Sequence, residues 1–286
     1  MSDQLLTDLF SAYYDARRHK RNTLNALEFE INYEHNLLEL YHELKSDTYK
    51  IGSSVAFVVF DPVQREIIAS PFRDRVIHHL VFNYINPILE KVFINDSYSC
   101  RQGRGTSYGI NRVTHFVSSC SNNYHDNCFI LKLDLAGYFM SINHKILYEK
   151  VKSYLIKHNE KINFDLDLVL VLLWKIIFHF YTTNCIIRGG LKDWQGLPRN
   201  KSLFYTQPGF GLPIGNLTSQ LFSNIYLNDF DHYIKRELKF KYYGRYVDDL
   251  LLVHQSRERL KIAINEIRDY LQSNLNLKLH PKKIYL

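Results

Sequence analysis

A chain of 286 residues with 46% apolar side chains can bury a sizeable core as one large domain or two smaller ones, so a folded globular protein is expected. Lysine and arginine exceed aspartate and glutamate by seven, a balance suited to a polyanionic partner, and 21 tyrosines and 18 phenylalanines supply rings for the core or for stacking on bases. The four cysteines, Cys100, Cys120, Cys128 and Cys185, have neither C-x-x-C spacing nor zinc-type histidine partners and read as reduced core thiols of a cytoplasmic protein. The N-terminus carries Asp3 where a signal peptide would carry positive charge. The greasiest run, Leu166 to Phe180, is broken by Asp167, Lys175 and His179, so a buried helix is expected and no membrane span. The sequons at Asn95 and Asn216 carry no meaning in that compartment.

In chain order, Leu5, Leu6, Leu9 and Tyr13 predict a helix over residues 3–19 with a basic end, Ala16 to Arg21. A broad apolar stripe from Leu27 to Leu44 predicts a second helix over 23–45. Val55–Phe60 and Arg65–Ala69 read as a hairpin around Asp61-Pro62. Pro71 opens a helix running to Phe93, which Pro87 should kink or split. The stretch SYSCRQGRGTSYGI lacks a preceding strand and is not a dinucleotide fingerprint; a basic, phosphate-touching loop before a helix at 107–118 fits better. Phe129–Leu135 is a short strand with Asp134 near its end, followed by helices at 143–156 and 165–180. Residues 181–212 look like a long functional loop. Pro213-Ile214-Gly215-Asn216 leads into a helix. A hairpin follows with Asp248-Asp249 at its turn, then a helix at 257–271 and a last strand, Leu275–Leu279, before His280-Pro281-Lys282-Lys283. This order implies α+β: a small, mostly antiparallel sheet backed by helices.

Taken alone, an Asp-Asp pair between two strand-like runs is most simply a solvated turn. Partly buried, it needs a cation, and a divalent metal would supply one. If the strands of Asp134 and Asp248-Asp249 are neighbours, three carboxylates converge on one sheet edge. That set could hold two Mg²⁺ ions for an in-line phosphoryl transfer.

The residues also carry a family likeness. Tyr246-Val247-Asp248-Asp249 resembles the Y-x-D-D motif of reverse transcriptases, FILKLDLAGYFMSINH (129–144) resembles that family's first palm motif, and LKLHPKKI resembles the motif closing the palm. Arg65 and the stretch SPFRDRVIHHLVFNYINPILEKVFINDSYSCRQGRGTS resemble its finger motifs. The likeness runs over roughly residues 55–286, in order. It implies a right-hand polymerase: an N-terminal helical extension (1–52), fingers (53–126) and a palm (127–286) with the 181–212 loop inserted. Family members usually continue into a helical thumb, and the resemblance implies that here the thumb is missing or truncated.

The same resemblance implies roles. Asp134 and Asp248 would be the main ligands of two Mg²⁺ ions (Mn²⁺ as substitute), with Asp249 auxiliary. Arg65 would bind the incoming triphosphate, Phe139 would exclude a ribose 2′-hydroxyl, and Lys283, or its neighbour Lys282, would protonate the leaving pyrophosphate. Residues 211–220, GLPIGNLTSQ, place Ile214 and Gly215 at the dNTP site, with Ile214 where most members have Gln and Gln220 where they have Pro. That version resembles the enzymes of diversity-generating retroelements, which copy a template RNA with selective errors at adenines. The implied partners are template RNA, a primer or cDNA strand, dNTPs and a small basic accessory protein, in a bacterial or phage-encoded cytoplasmic enzyme. A retron or phage-defence reverse transcriptase and a catalytically weak nucleic-acid-binding protein are the alternatives.

Overall fold

A computed structural model describes residues 4–18 and 23–286. The ends of the first predicted helix, Asp3 and His19, and the basic Lys20 and Arg21 lie outside the described residues. Helix α1 (Gln4–Arg17) packs Leu5, Leu9, Ala12 and Tyr13 inward. The stripe from Leu27 to Leu44 forms two helices, α2 (Leu24–Ile31) and α3 (Tyr33–Lys45), and not one. The break falls at Asn32, whose backbone leaves the helical region (φ −130°, ψ 42°), as asparagine readily does because its side chain competes for backbone bonds. Asn36 then donates across the break to the Phe29 carbonyl.

Strands β1 (Ser54–Val59) and β2 (Arg65–Ala69) pair antiparallel, as the alternation predicts. Helix α4 (Phe72–Leu89) starts after Pro71 and ends two residues past Pro87, so Pro87 sits in its last turn and neither kinks nor splits a longer helix. Its buried residues point in several directions, including Val76, Ile77, Leu80, Val81 and Ile85, because α1 covers one side and α9 the other. Helix α5 (Thr106–Cys120) follows Gly105. Next come β3 (Phe129–Leu135), the short α6 (Tyr138–Ser141), α7 (His144–Lys157), capped by Asn143, and α8 (Leu166–Ile177), capped by Asp165. No helix of the described residues is long and apolar enough to cross a membrane.

Segment 181–212 is more ordered than a loop. It holds strand β4 (Cys185–Ile187), parallel to β1, and three 3₁₀ turns. Then come α9 (Leu217–Tyr226), α10 (Asn228–His232), β5 (Tyr242–Tyr246), β6 (Asp249–His254) and α11 (Arg257–Leu275). The last strand, β7, spans Leu279–Tyr285 and not 275–279. Leu275 completes the apolar stripe of α11, and Asn276, left-handed at φ 55°, stops the helix. His280 to Lys283 therefore lie within the strand, and Pro281 is tolerated because β7 is an edge.

The architecture is the expected α+β. One sheet has the order β2-β1-β4, the other β5-β6-β3-β7 and is wholly antiparallel. A single large core joins one face of the four-stranded sheet (Leu131, Leu133, Leu250, Leu252) to α1, α4, α7, α9 and α11. Of the cysteines only Cys120 is buried. Cys100 is exposed and Cys128 and Cys185 are half-buried, all free thiols, so the expectation of four core thiols is corrected: Cys100 lies in a turn, left-handed at φ 56°, with the buried Ser99 and Arg101 on either side turned inward.

Candidate active site

Alternation along β3 decides where the first acid goes. Leu131, Leu133 and Leu135 face the core, which leaves Lys132 and Asp134 on the opposite face. On β6, Leu250 and Leu252 do the same for Asp249. The antiparallel register pairs Leu133 with Leu250 and therefore Asp134 with Asp249, directly opposite and on one face. A one-residue slip would bury both acids and expose the leucines, so the apolar pattern fixes the register.

Asp248 lies in the turn itself. Tyr246 pairs with Asp249, so the turn is Val247-Asp248 and not Asp248-Asp249; Asp249 is the first residue of β6. Val247 has φ 55°, a left-handed conformation that a β-branched residue rarely adopts. Two bonds hold it there. The Leu135 N–H donates to the Asp248 carbonyl (3.3 Å), and Arg245 Nη1 donates to the Val247 carbonyl (3.0 Å). Arg245 is 1% exposed and clamps both carboxylate oxygens of Asp231 on α10 (2.7–3.0 Å), with further bonds to Asn224 and Ser97. Tyr243 adds a hydroxyl to Asp231 at 2.6 Å. Burial disfavours the Arg245 charge, but Asp231 more than reverses this and holds the guanidinium ionised. Sequence reasoning missed this clamp. Its one signal is an arginine sharing the inward phase of Tyr243 on β5.

The three acids are unequally compensated. Asp134 is 9% exposed and accepts from Lys283 Nζ at 2.8 Å; Lys132 Nζ lies 3.2 Å from Asp249. Among the described residues Asp248 has no such partner. Burial first, then the charges of Asp134 and Asp249, push its carboxyl up to about 6, against its own backbone N–H and Lys283. The hydrogen bond to Asp134 in turn raises Lys283. Among the described residues no three His, Cys, Asp or Glu side chains are gathered tightly enough to hold a metal as they stand. The donor chemistry nonetheless suits a hard divalent cation: three carboxylates on one sheet edge repel one another and offer only oxygen.

The remaining candidates form a second group. Arg65 opens β2, exposed and, among the described residues, without a side-chain hydrogen bond or ion pair. Beside β2 runs segment 211–216: the Ile68 N–H donates to the Ile214 carbonyl (2.9 Å) and the Ser70 N–H to Asn216 Oδ1 (3.1 Å). Gly215 has φ 132°, and a Cβ there would lie 3.0 Å from Ile67 Cγ2 and 3.1 Å from the Ile68 carbonyl oxygen, so only glycine lets the segment approach. On its other side the Leu212 N–H donates to the Phe139 carbonyl (2.9 Å). Phe139 and Ile214, both half-buried, pack on one apolar cluster with Ile68 and Met140. Segment 211–216 thus links β2 to the helix that follows Asp134. Arg65 makes no ion pair with any of the three carboxylates. Lys282, the alternative to Lys283, is exposed, and its side chain makes no bond to Asp134.

Residues 64–286 match the family model described as reverse transcriptase (RNA-dependent DNA polymerase). The chain is 26% identical over 243 residues to Protein YkfC of Escherichia coli (strain K12), covering 74% of this chain and 56% of that protein. It is 24% identical over 191 residues to nuclear intron maturase 4, mitochondrial, of Arabidopsis thaliana, covering 66% of this chain and 20% of the maturase. It thus spans only part of each relative's length. Among solved structures, apo telomerase from Candida tropicalis, truncated from its C-terminal domain, superposes with TM-score 0.53 at 13% identity, covering 86% of this chain and 55% of that one. Telomerase from Candida albicans, in complex with a fragment of telomeric RNA, gives TM-score 0.53 at 12% identity, covering 89% and 47%. These two likenesses speak for the fold alone.

Proposed function

Because the chain belongs to the reverse transcriptase (RNA-dependent DNA polymerase) family, we propose that it extends a DNA 3′ end on an RNA template, with the four-stranded sheet as palm and the three-stranded sheet as fingers. The observation that carries this reading is the pairing of Asp134 with Asp249, with Asp248 beside them in the turn. Asp134 and Asp248 would hold two Mg²⁺ or Mn²⁺ ions, assisted by Asp249; when bound, such ions activate the attacking hydroxyl and stabilise the leaving oxygen. Arg65, exposed and unpaired among the described residues, binds the triphosphate of the incoming nucleotide. Phe139 closes the space a 2′-hydroxyl would need. Lys283, already charged beside Asp134, supplies the proton for the leaving pyrophosphate.

The reading extends to an error-prone enzyme of the diversity-generating type. Ile214 sits at the junction of β2 and α6 with an apolar side chain where a glutamine could restrain the nascent base pair by hydrogen bonding. Losing one polar restraint releases about 1–3 kcal/mol of discrimination, roughly a ten- to hundredfold rise in errors. Adenine selectivity, the small basic accessory protein and the bacterial or phage cytoplasm enter this reading on the resemblance alone.

The decisive measurement is dNTP incorporation on a primed RNA template, with and without Mg²⁺, using Asp248→Asn as the control. Metal-dependent synthesis lost in the variant is expected. A wild-type chain that incorporates nothing, even with the accessory protein present, would falsify the polymerase reading. Sequencing the products of Ile214→Gln tests the fidelity argument, and an unchanged error spectrum removes it.

A further inference from the structure

The segment between α8 and α9 has two unlike sides. Its underside is stapled to the three-stranded sheet. Glu66, 2% exposed, accepts from Trp194 Nε1 (2.7 Å), the Ser202 hydroxyl (2.6 Å) and the Leu203 N–H (2.6 Å). Gln64 donates to the Asp193 and Gln195 carbonyls, and β4 pairs with β1. At its far end the segment meets the candidate site: a Cβ on Gly137, three residues past Asp134, would lie 2.6 Å from the Asn200 carbonyl oxygen.

The outer side is cationic and aromatic. Arg188, Lys192, Arg199 and Lys201 are all exposed, and none makes a side-chain hydrogen bond or an ion pair among the described residues. The lone acid of the segment, Asp193, is turned onto its own Gly190 N–H at 2.9 Å and neutralises none of them. Tyr205 is 62% exposed, with the Arg199 guanidinium 5.2 Å over its ring. Four exposed cations without an acid partner, on a segment bonded to the sheet beneath it and carrying a ring already faced by a guanidinium, make a surface that suits a flexible polyanion with planar faces. Single-stranded nucleic acid has both properties. A duplex hides its base faces, and an acidic protein gives no use to the Tyr205 ring.

We propose that the outer face of residues 188–205 binds single-stranded nucleic acid and guides it to the site at Asp134. That this strand is the unpaired part of the template rests on the polymerase reading; the binding surface itself does not.

Two experiments on the full chain separate these claims. In the first, fluorescence anisotropy measures binding of single-stranded RNA and of a blunt RNA–DNA duplex to the wild type and to the triple variant Arg199→Ala, Lys201→Ala, Tyr205→Ala. All three side chains are exposed, so the fold is retained. The single-strand affinity should fall about tenfold or more, and the salt slope should drop by about 1.4 for the two cations removed. Duplex affinity should change less than about twofold. Tyr205→Phe, which keeps the ring, should bind as the wild type does. Unchanged single-strand binding, or an equal loss on the duplex, overturns the proposal. In the second, primer extension compares templates with short and long single-stranded overhangs. The wild type should favour the long overhang and the triple variant should not. An overhang preference that survives in the variant overturns the guiding role. Strand binding without any incorporation would instead overturn the polymerase reading and leave the surface standing.

Discussion

Two charged clusters meet at the β5–β6 hairpin and are built on opposite terms. Before the turn, Arg245 and Asp231 have side chains with no solvent exposure, and their charges are matched by one another, Tyr243, Asn224 and Ser97. After it, Asp248 is left between two other acids with only Lys283 and Lys132 to offset three negative charges. The satisfied cluster donates to the Val247 carbonyl and so fixes the strained turn that carries the unsatisfied one. The fold thus places its most fully paired ion pair where it can hold a group that the folded state alone does not favour. Such an arrangement is expected where ligand binding supplies the missing charge.

The contrast can be broken from either side. The largest expected effect is on turnover: Asp248→Asn or Asp134→Asn should reduce nucleotide incorporation by about a thousandfold or more. The same Asp248→Asn change should stabilise the metal-free chain. The Asp248 carboxyl, raised from 3.8 to about 6, prefers its proton when folded. Its contribution to stability is therefore full at low pH and lost as pH rises from about 4 to about 6. The asparagine variant escapes that loss, about 3 kcal/mol at pH 7, and its advantage should vanish toward pH 4. Urea unfolding in chelator across this range measures it, and a pH-independent gap would contradict the burial argument.

On the satisfied side, Arg245→Met should cost about 3–5 kcal/mol because it strands a buried Asp231, and adding Asp231→Leu should restore part of it, the Tyr243 hydroxyl then lacking its acceptor. If Arg245 positions the turn as well as neutralising Asp231, that partly restored double variant should still turn over about tenfold more slowly with an unchanged KM, since the Val247 carbonyl has lost its donor. Full activity in the double variant would reduce Arg245 to a packing role. Lys283→Met should lower kcat by about a hundredfold and flatten the alkaline limb of the pH–rate profile, as loss of a general acid does. An unaltered limb would assign Lys283 only to the neutralisation of Asp134.

From sequence the convergence of the three acids is conditional on their strands being neighbours; the β3–β6 pairing meets that condition, and with Leu131, Leu133 and Leu135 inside, Asp134 has one available face. Ile214 and Gly215 could be placed beside one another by motif, but their contact with β2 depends on a backbone approach that no periodicity encodes. The Arg245–Asp231 clamp spans α10, β5 and the segment around Ser97, and nothing local in any of them announces a buried pair. Strand β4 is three residues long, too short for alternation, so its sequence reads as loop. Leu275 satisfies the period of a helix and that of a strand equally well, so the sequence alone starts the last strand too early.

The edge position of β7 has a consequence for how the chain comes into being. Lys283 follows Asp134 by 149 residues. At ribosomal speeds that is roughly 7–30 s. For most of that interval, until β6 (Asp249–His254) follows, β3, the strand that ends up between β6 and β7, has neither neighbour, and its leucines have no sheet to join. The nascent chain must keep this sticky, open-edged segment occupied or shielded until its partners emerge. The sheet that bears the acids is therefore slow to close.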